Sequence, residues 1–207
     1  DAGPDFRQQM LRENVKHLDA ILITHHHKDH IGGLDDVRSF NFLQHFSMPV
    51  YASSVSQEEI KREFSYAFAE KDKLYPGAPT FNLIDIIDDK SIVINNLTIE
   101  PIPLKHLEML CYGFRIGNFA YITDFSYISD DSLNKLKGVD YLIIEALRRE
   151  KHYSHLCLSE AIGIAQRLNV KKAWFTHIGH QMGLAGETDK TLPANMMLAY
   201  DGLKIEV

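Results

Sequence analysis

Apolar residues in this chain fall into short continuous runs that alternate with helically spaced sets. "DAILIT" (19–24) is an apolar run with a clean stop and predicts a buried strand. "IGGLDDVRSF" (31–40) sets Leu34 and Val37 on one side, with Arg38 beside them, and predicts a helix after a Gly-Gly turn. "MPVYAS" (48–53) predicts another strand. A helix from about Gln57 to about Lys71, capped by Ser54 or Ser56, carries Ile60, Phe64 and Phe68 at helical spacing. After the loop "LYPGAPT" (74–80) comes a β-rich centre: 81–87, 91–94, 97–104, 111–117 and 119–124, with Gly117-Asn118 as a tight hairpin turn.

The last third returns to alternation. It predicts a helix over 130–136, a strand over 139–147, a helix over 159–169 and a strand over 171–177. Two short strands, 196–200 and 203–207, are expected to form a hairpin through Asp201-Gly202. Strands followed by helices define an α/β fold, and the hairpins make its sheets mixed. No repeat or linker interrupts the 207 residues, so one domain over 1–207 is expected.

Composition narrows the function classes. The chain is 45% hydrophobic, and no apolar run approaches the ~18 residues of a membrane span. The formal net charge of −6 disfavours a nucleic-acid footprint. It does not disfavour a small anionic substrate, because a metal can supply positive charge locally. Two cysteines, Cys111 and Cys157, form no disulfide framework and read as buried thiols of a cytoplasmic protein. The chain opens on Asp1, in a turn-like "DAGPD" that ordinarily follows a strand, so an amino-terminal segment is expected to be missing.

Eleven histidines make their positions informative. "THHHKDH" (24–30) directly follows an apolar strand. If its residues stay extended, His25 and His27 point one way and His26 the other, with Asp29 and His30 where the chain turns. Histidine pairs in loops are usually surface decoration. Here the pattern continues at later strand ends: His106 after 97–104, Asp124 after 119–123 and His177 after 172–176, with His155 just before a helix. Imidazoles and carboxylates gathered at strand termini suit Zn²⁺, Mn²⁺ or Fe.

The motif His-x-His-x-Asp-His, matched by His25, His27, Asp29 and His30, together with the ordered His106, Asp124 and His177, resembles the metallo-β-lactamase superfamily. "DAGPDFRQQ", "KREFSYAF", "HLCLSEAI" and "FTHIGHQ" are most similar to its phosphoribosyl cyclic phosphodiesterase branch, with the tRNA 3′-processing nucleases more distant. The resemblance implies a four-layer αββα sandwich with mixed sheets, lacking its amino-terminal strands here. It also implies two divalent metal ions, Zn or Mn with Fe also compatible. One would be held by His25, His27 and His106, the other by Asp29, His30 and His177, with Asp124 bridging them. The implied activity is hydrolysis of a small cyclic or nucleotide-like phosphate ester through a metal-bridging hydroxide.

Asp29, Asp124 and His155 are the residues the resemblance brings into the catalytic steps, His155 by contacting phosphate or protonating the leaving alkoxide. The alternative for His155 is a cap on the following helix, or replacement by His152. Asp1 and His26 are candidates to hydrogen-bond ligand histidines from behind, and His180 lies close enough in sequence to reach the site. His17 and His45 read as surface residues, and Phe64 and Phe68 as core. The same scaffold also suits a thioesterase, a lactonase, a tRNA-processing nuclease or a metal-binding protein without catalysis. The expected partner is a small phosphate ester, with no membrane, nucleic acid disfavoured and a homodimer left open.

Overall fold

The computed structural model describes residues 1–70, 72 and 75–206, in two compact units, Asp1–Ile87 and Asp88–Val207. The expected helix end at Lys71, the loop start at Leu74 and the chain end at Val207 lie outside the described residues.

The first unit contains α1 (Phe6–Arg12), β1 (Ile21–Leu22), α2 (Lys28–Ile31), α3 (Arg38–Gln44), β2 (Met48–Ala52), α4 (Ser54–Glu63) and β3 (Phe81–Asp85). Among the described residues its sheet has the order β1-β2-β3, parallel throughout. Met48, Val50 and Ala52 alternate with more exposed residues along β2, as a strand buried on one face requires. They join Ile23, Leu34, Val37, Phe40 and Ile60 in one core, where each fully buried aliphatic side chain contributes about 1.5–3 kcal/mol. Phe64 is buried in this core and Phe68 packs against it.

Four details depart from the sequence expectation. The helix expected to run to about Lys71 ends at Glu63, and a 3-10 turn over Ser65–Ala67 follows it. β1 pairs over two residues instead of six, although the Ile23 N–H still donates to the Tyr51 carbonyl. The segment expected as one helix is α2, a 3-10 turn over Leu34–Val37 and then α3; Leu34, Val37 and Phe40 are buried and Arg38 is exposed. The cap of α4 is Ser53, not Ser54 or Ser56. β2 ends at Ala52, so extended Ser53 is the residue whose Oγ accepts the Ser56 N–H at 3.1 Å.

The second unit contains β4 (Ile92–Ile94), β5 (Leu97–His106), β6 (Met109–Ile116), β7 (Phe119–Ile122), α5 (Asp130–Lys135), β8 (Tyr141–Glu145), α6 (Leu158–Arg167), β9 (Lys172–Thr176), α7 (Ala185–Thr188) and β10 (Met196–Leu198). Among the described residues they form a seven-stranded mixed sheet, β10-β9-β8-β7-β6-β5-β4. Gly117, at φ +58°, makes the expected tight turn between β6 and β7. Ile122, Leu142, Ile144, Ala173 and Phe175 pack with Leu133 of α5 and Ala161 and Ala165 of α6.

The carboxyl-terminal hairpin does not form. β10 runs parallel to β9, burying Met196 and Leu198 in the core, and residues 203–206 are not a strand. Asp201-Gly202 still turns the chain, with the Leu203 N–H donating to the Tyr200 carbonyl at 3.1 Å.

Strand direction explains where the polar residues collect. β5 and β7 are each antiparallel to β6, and β7, β8 and β9 are mutually parallel. All four therefore run the same way. Their carboxyl ends lie along one edge of the sheet, where ligand sites of α/β folds gather.

Candidate metal centre

In the first unit the chain leaves β1 through buried Thr24 and His25 and enters α2 after His27. The His25 ring lies 4.6 Å from His27 and 4.1 Å from His30, centroid to centroid. Asp29 Oδ2 lies 3.5 Å from His30 Nε2. His26 takes another direction, with Nδ1 3.4 Å from Ser56 Oγ on α4. His25, His27, Asp29 and His30 are thus one cluster, and His26 lies to its side.

Asp1 and Thr24 hold this cluster from behind. Asp1 Oδ1 accepts the Thr24 N–H at 2.7 Å, and Asp1 Oδ2 accepts the Thr24 hydroxyl at 2.9 Å. Asp1 Oδ2 is also 2.7 Å from His30 Nδ1, and Thr24 Oγ1 is 3.1 Å from His25 Nδ1. A carboxylate at Nδ1 fixes the tautomer and ring angle of an imidazole and turns Nε2 toward a ligand. The segment carrying Asp1 is seated by Ala2, whose N–H donates to the His30 carbonyl and whose carbonyl accepts the Gly33 N–H, both at 2.8 Å. The approach is close: a Cβ on Gly3 would sit 2.4 Å from the Asp29 carbonyl oxygen, and one on Gly33 would sit 2.1 Å from that of Gly3. Lys28 forms an ion pair with Glu63, tying α2 to the end of α4.

In the second unit His106 is the buried last residue of β5, rather than the residue after it. Asp124 follows β7 and is 1% exposed. Its Oδ1 accepts the Thr123 hydroxyl at 2.8 Å, and its Oδ2 lies 3.2 Å from His177 Nε2. Asp124 (φ +56°) and His177 (φ +53°) both adopt the left-handed conformation that L-residues rarely take, and such strain concentrates at functional sites. His155 lies against both neighbouring histidines, its ring 4.7 Å from His106 and stacked 4.9 Å from His177. Donor atoms of Asp124, Glu145, His155 and His177 all lie within 4.8 Å of one another. A hollow of about 320 Å³ beside His177 is lined also by Thr176, Ile178, Ala199, Tyr200 and Asp201.

Glu145 escaped the sequence reading. It ends β8 fully buried, accepts the Phe125 N–H, and has Oε2 2.9 Å from His155 Nδ1. Burial pushes its pKa above the ordinary carboxylate value, against the hydrogen bonds from His155 and Phe125. Burial, with the Asp124 and Glu145 charges nearby, also raises the Cys111 thiol, and pushes the Tyr121 phenol up to about 12. The signal available in the sequence was a single carboxylate in the apolar run "YLIIEAL". His180 is exposed at the start of a 3-10 turn.

The donor set fits divalent transition metals. Crowded imidazoles accompanied by carboxylates, with no thiolate among them, are the ligand chemistry of Zn²⁺, Mn²⁺ and Fe. A bound cation would also offset the cost of burying the carboxylates of Asp124 and Glu145.

The fold and these donor clusters are those of a metallo-β-lactamase-like domain. The chain belongs to the β-lactamase superfamily: the family described as "Beta-lactamase superfamily domain" matches residues 1–178. A diphosphatase from the PhnP family, known from a crystal structure, is 38% identical with a TM-score of 0.90, covering all of this chain and 78% of that one. The metallo-β-lactamase fold protein YhfI from Bacillus subtilis is 22% identical with a TM-score of 0.77, over 98% and 83% of the two chains, a likeness of fold. An octanoyltransferase of Porphyromonas gingivalis (strain ATCC BAA-308 / W83) is 34% identical over 205 residues, 99% of this chain. The chain spans only 41% of that protein's length.

Proposed function

We propose that this domain is a dinuclear metal-dependent hydrolase, a phosphodiesterase acting on a small cyclic or nucleotide-like phosphate. The ligand set is the one the family resemblance assigns: His25, His27 and His106 for one ion, Asp29, His30 and His177 for the other, with Asp124 shared. Bound divalent ions supply Lewis acidity toward phosphate oxygens and lower the pKa of water toward ~7. Asp1 and Thr24 orient the ligand histidines, and Asp124 is held by the Thr123 hydroxyl.

The observation that carries the reading is His155, set against His106 and His177 and backed by buried Glu145. Glu145 keeps the proton of His155 on Nδ1 and stabilises the imidazolium, so Nε2 is the atom that passes a proton to the departing alkoxide. The likeness to a PhnP-family diphosphatase supports phosphate as the reacting group.

A second reading, hydrolysis of an acyl ester or thioester, is favoured by the likeness to the octanoyltransferase. A substrate panel on the Mn²⁺- or Zn²⁺-loaded protein separates the two. Bis-p-nitrophenyl phosphate and a ribose cyclic phosphate should be cleaved, and p-nitrophenyl octanoate and octanoyl thioesters should not. Turnover of the acyl substrates alone would overturn the phosphodiesterase assignment.

A further inference from the structure

We propose that Tyr153 is a stacking platform for a purine or pyrimidine base carried by the substrate. This rests on the phosphodiesterase reading and sharpens its substrate class to base-bearing phosphates. The Tyr153 ring is 77% exposed, yet it ends a continuous series of ring contacts that starts at the metal-ligand candidates. His177 stacks on His155 at 4.9 Å and 23°. His155 meets His152 at 5.3 Å, and His152 meets Tyr153 at 4.6 Å, with interplanar angles of 38° and 34°. Two ring contacts, of 5.3 Å and 4.6 Å, therefore link the proposed proton donor to Tyr153, which leaves its outer face for a base.

The loop that presents Tyr153 is held in place. The Arg148 guanidinium donates to the Lys151 carbonyl at 2.8 Å, to the Glu150 carbonyl at 3.3 Å and to Gln181 Oε1 at 2.9 Å. Behind the series, the Ser154 N–H donates to His152 Nδ1 at 3.3 Å, and Ser154 is itself buried. An aromatic ring kept exposed on a pinned loop loses little conformational freedom when a base stacks on it. Stacking uses the π-face that every base has, so the preference should extend to any base.

Calorimetry on the metal-loaded protein tests this with two phosphate monoesters, AMP and ribose 5-phosphate, which carry a base and a hydroxyl respectively at the same sugar carbon. AMP should bind about tenfold more tightly to the unaltered protein, the scale of one base–aromatic stack. Tyr153→Ala should bring AMP down to the ribose 5-phosphate affinity, and Tyr153→Phe should keep the difference. Equal affinities in the unaltered protein, no binding of either ligand, or a preference that survives Tyr153→Ala would overturn the proposal. Absence of phosphodiester hydrolysis would sink the proposed activity and leave this comparison of affinities intact.

Discussion

Glu145 Oε2 lies 2.9 Å from His155 Nδ1, in a carboxylate–imidazole pair whose carboxylate is fully buried. Burying a carboxylate is costly unless its oxygens are hydrogen-bonded, and here the Phe125 N–H and the His155 ring do this. His155 is thereby fixed in tautomer and angle. Glu145→Gln keeps the shape of the side chain but removes the charge that supports an imidazolium. The expected outcome is a fall in kcat of about 10- to 100-fold with KM little changed and metal content retained. His155→Ala should cost about 10²–10⁴ in kcat. Steady-state kinetics with elemental analysis checks both, and a loss confined to KM would remove the proton-donor role.

The same pair makes a pH prediction for the metal-free protein. The pKa of folded Glu145 is raised by burial, so the group's stabilising contribution is fully present below the ordinary carboxylate pKa. It is lost as pH rises through the raised value. Glutamine cannot ionise and suffers no such loss. The Tm of Glu145→Gln relative to the unaltered protein should therefore move upward as pH rises from the acid side of the carboxylate range toward neutrality. Thermal melts in EDTA across that range measure it, and a difference that is flat or falls with pH would contradict the assignment.

Much of the candidate site was legible because the chemistry repeats in one place along each element. His25, His27, Asp29 and His30 stand after an apolar strand, and His106, Asp124 and His177 stand at later strand ends, where equal strand direction collects them. Glu145 was hidden because "IIEAL" reads as a continuing strand, and nothing local shows that its carboxylate meets a histidine ten residues later. Thr24 was hidden because a threonine at a strand end is ordinary. Only the tertiary contact with Asp1 shows that it backs two histidines. The carboxyl-terminal hairpin failed for a different reason. Its turn signal was sound, but a two-stranded ribbon is marginal by itself, and Met196 and Leu198 are instead buried in the core beside β9.

The two cysteines should be inert in the folded protein. Cys111 and Cys157 are both buried. The Cys111 thiol donates to the Asp124 carbonyl at 3.2 Å, and burial holds its pKa above the usual range, so thiolate is scarce. A chromogenic disulfide reagent should find almost no thiol in native protein and both thiols after denaturation. Rapid reaction of either thiol in native protein would mean that the surrounding core opens readily.

Thr24 offers the most discriminating test of how the first cluster is built. Its hydroxyl donates to Asp1 Oδ2 at 2.9 Å and stands 3.1 Å from His25 Nδ1 and 3.3 Å from His30 Nδ1, so one oxygen links the carboxylate to two imidazoles. Thr24→Val preserves the β-branched shape but removes that oxygen, leaving both rings with less to fix their angle. Loss of such a supporting hydrogen bond weakens metal affinity by about 10- to 100-fold, and the same is expected here. Thr24→Ser, which keeps the hydroxyl, should stay within a fewfold of the unaltered protein. Competition with a chromophoric chelator reads the affinity directly, without reference to any substrate. Equal metal affinities for the valine and serine variants would show that the backbone alone, and not this hydroxyl, sets the ligand geometry.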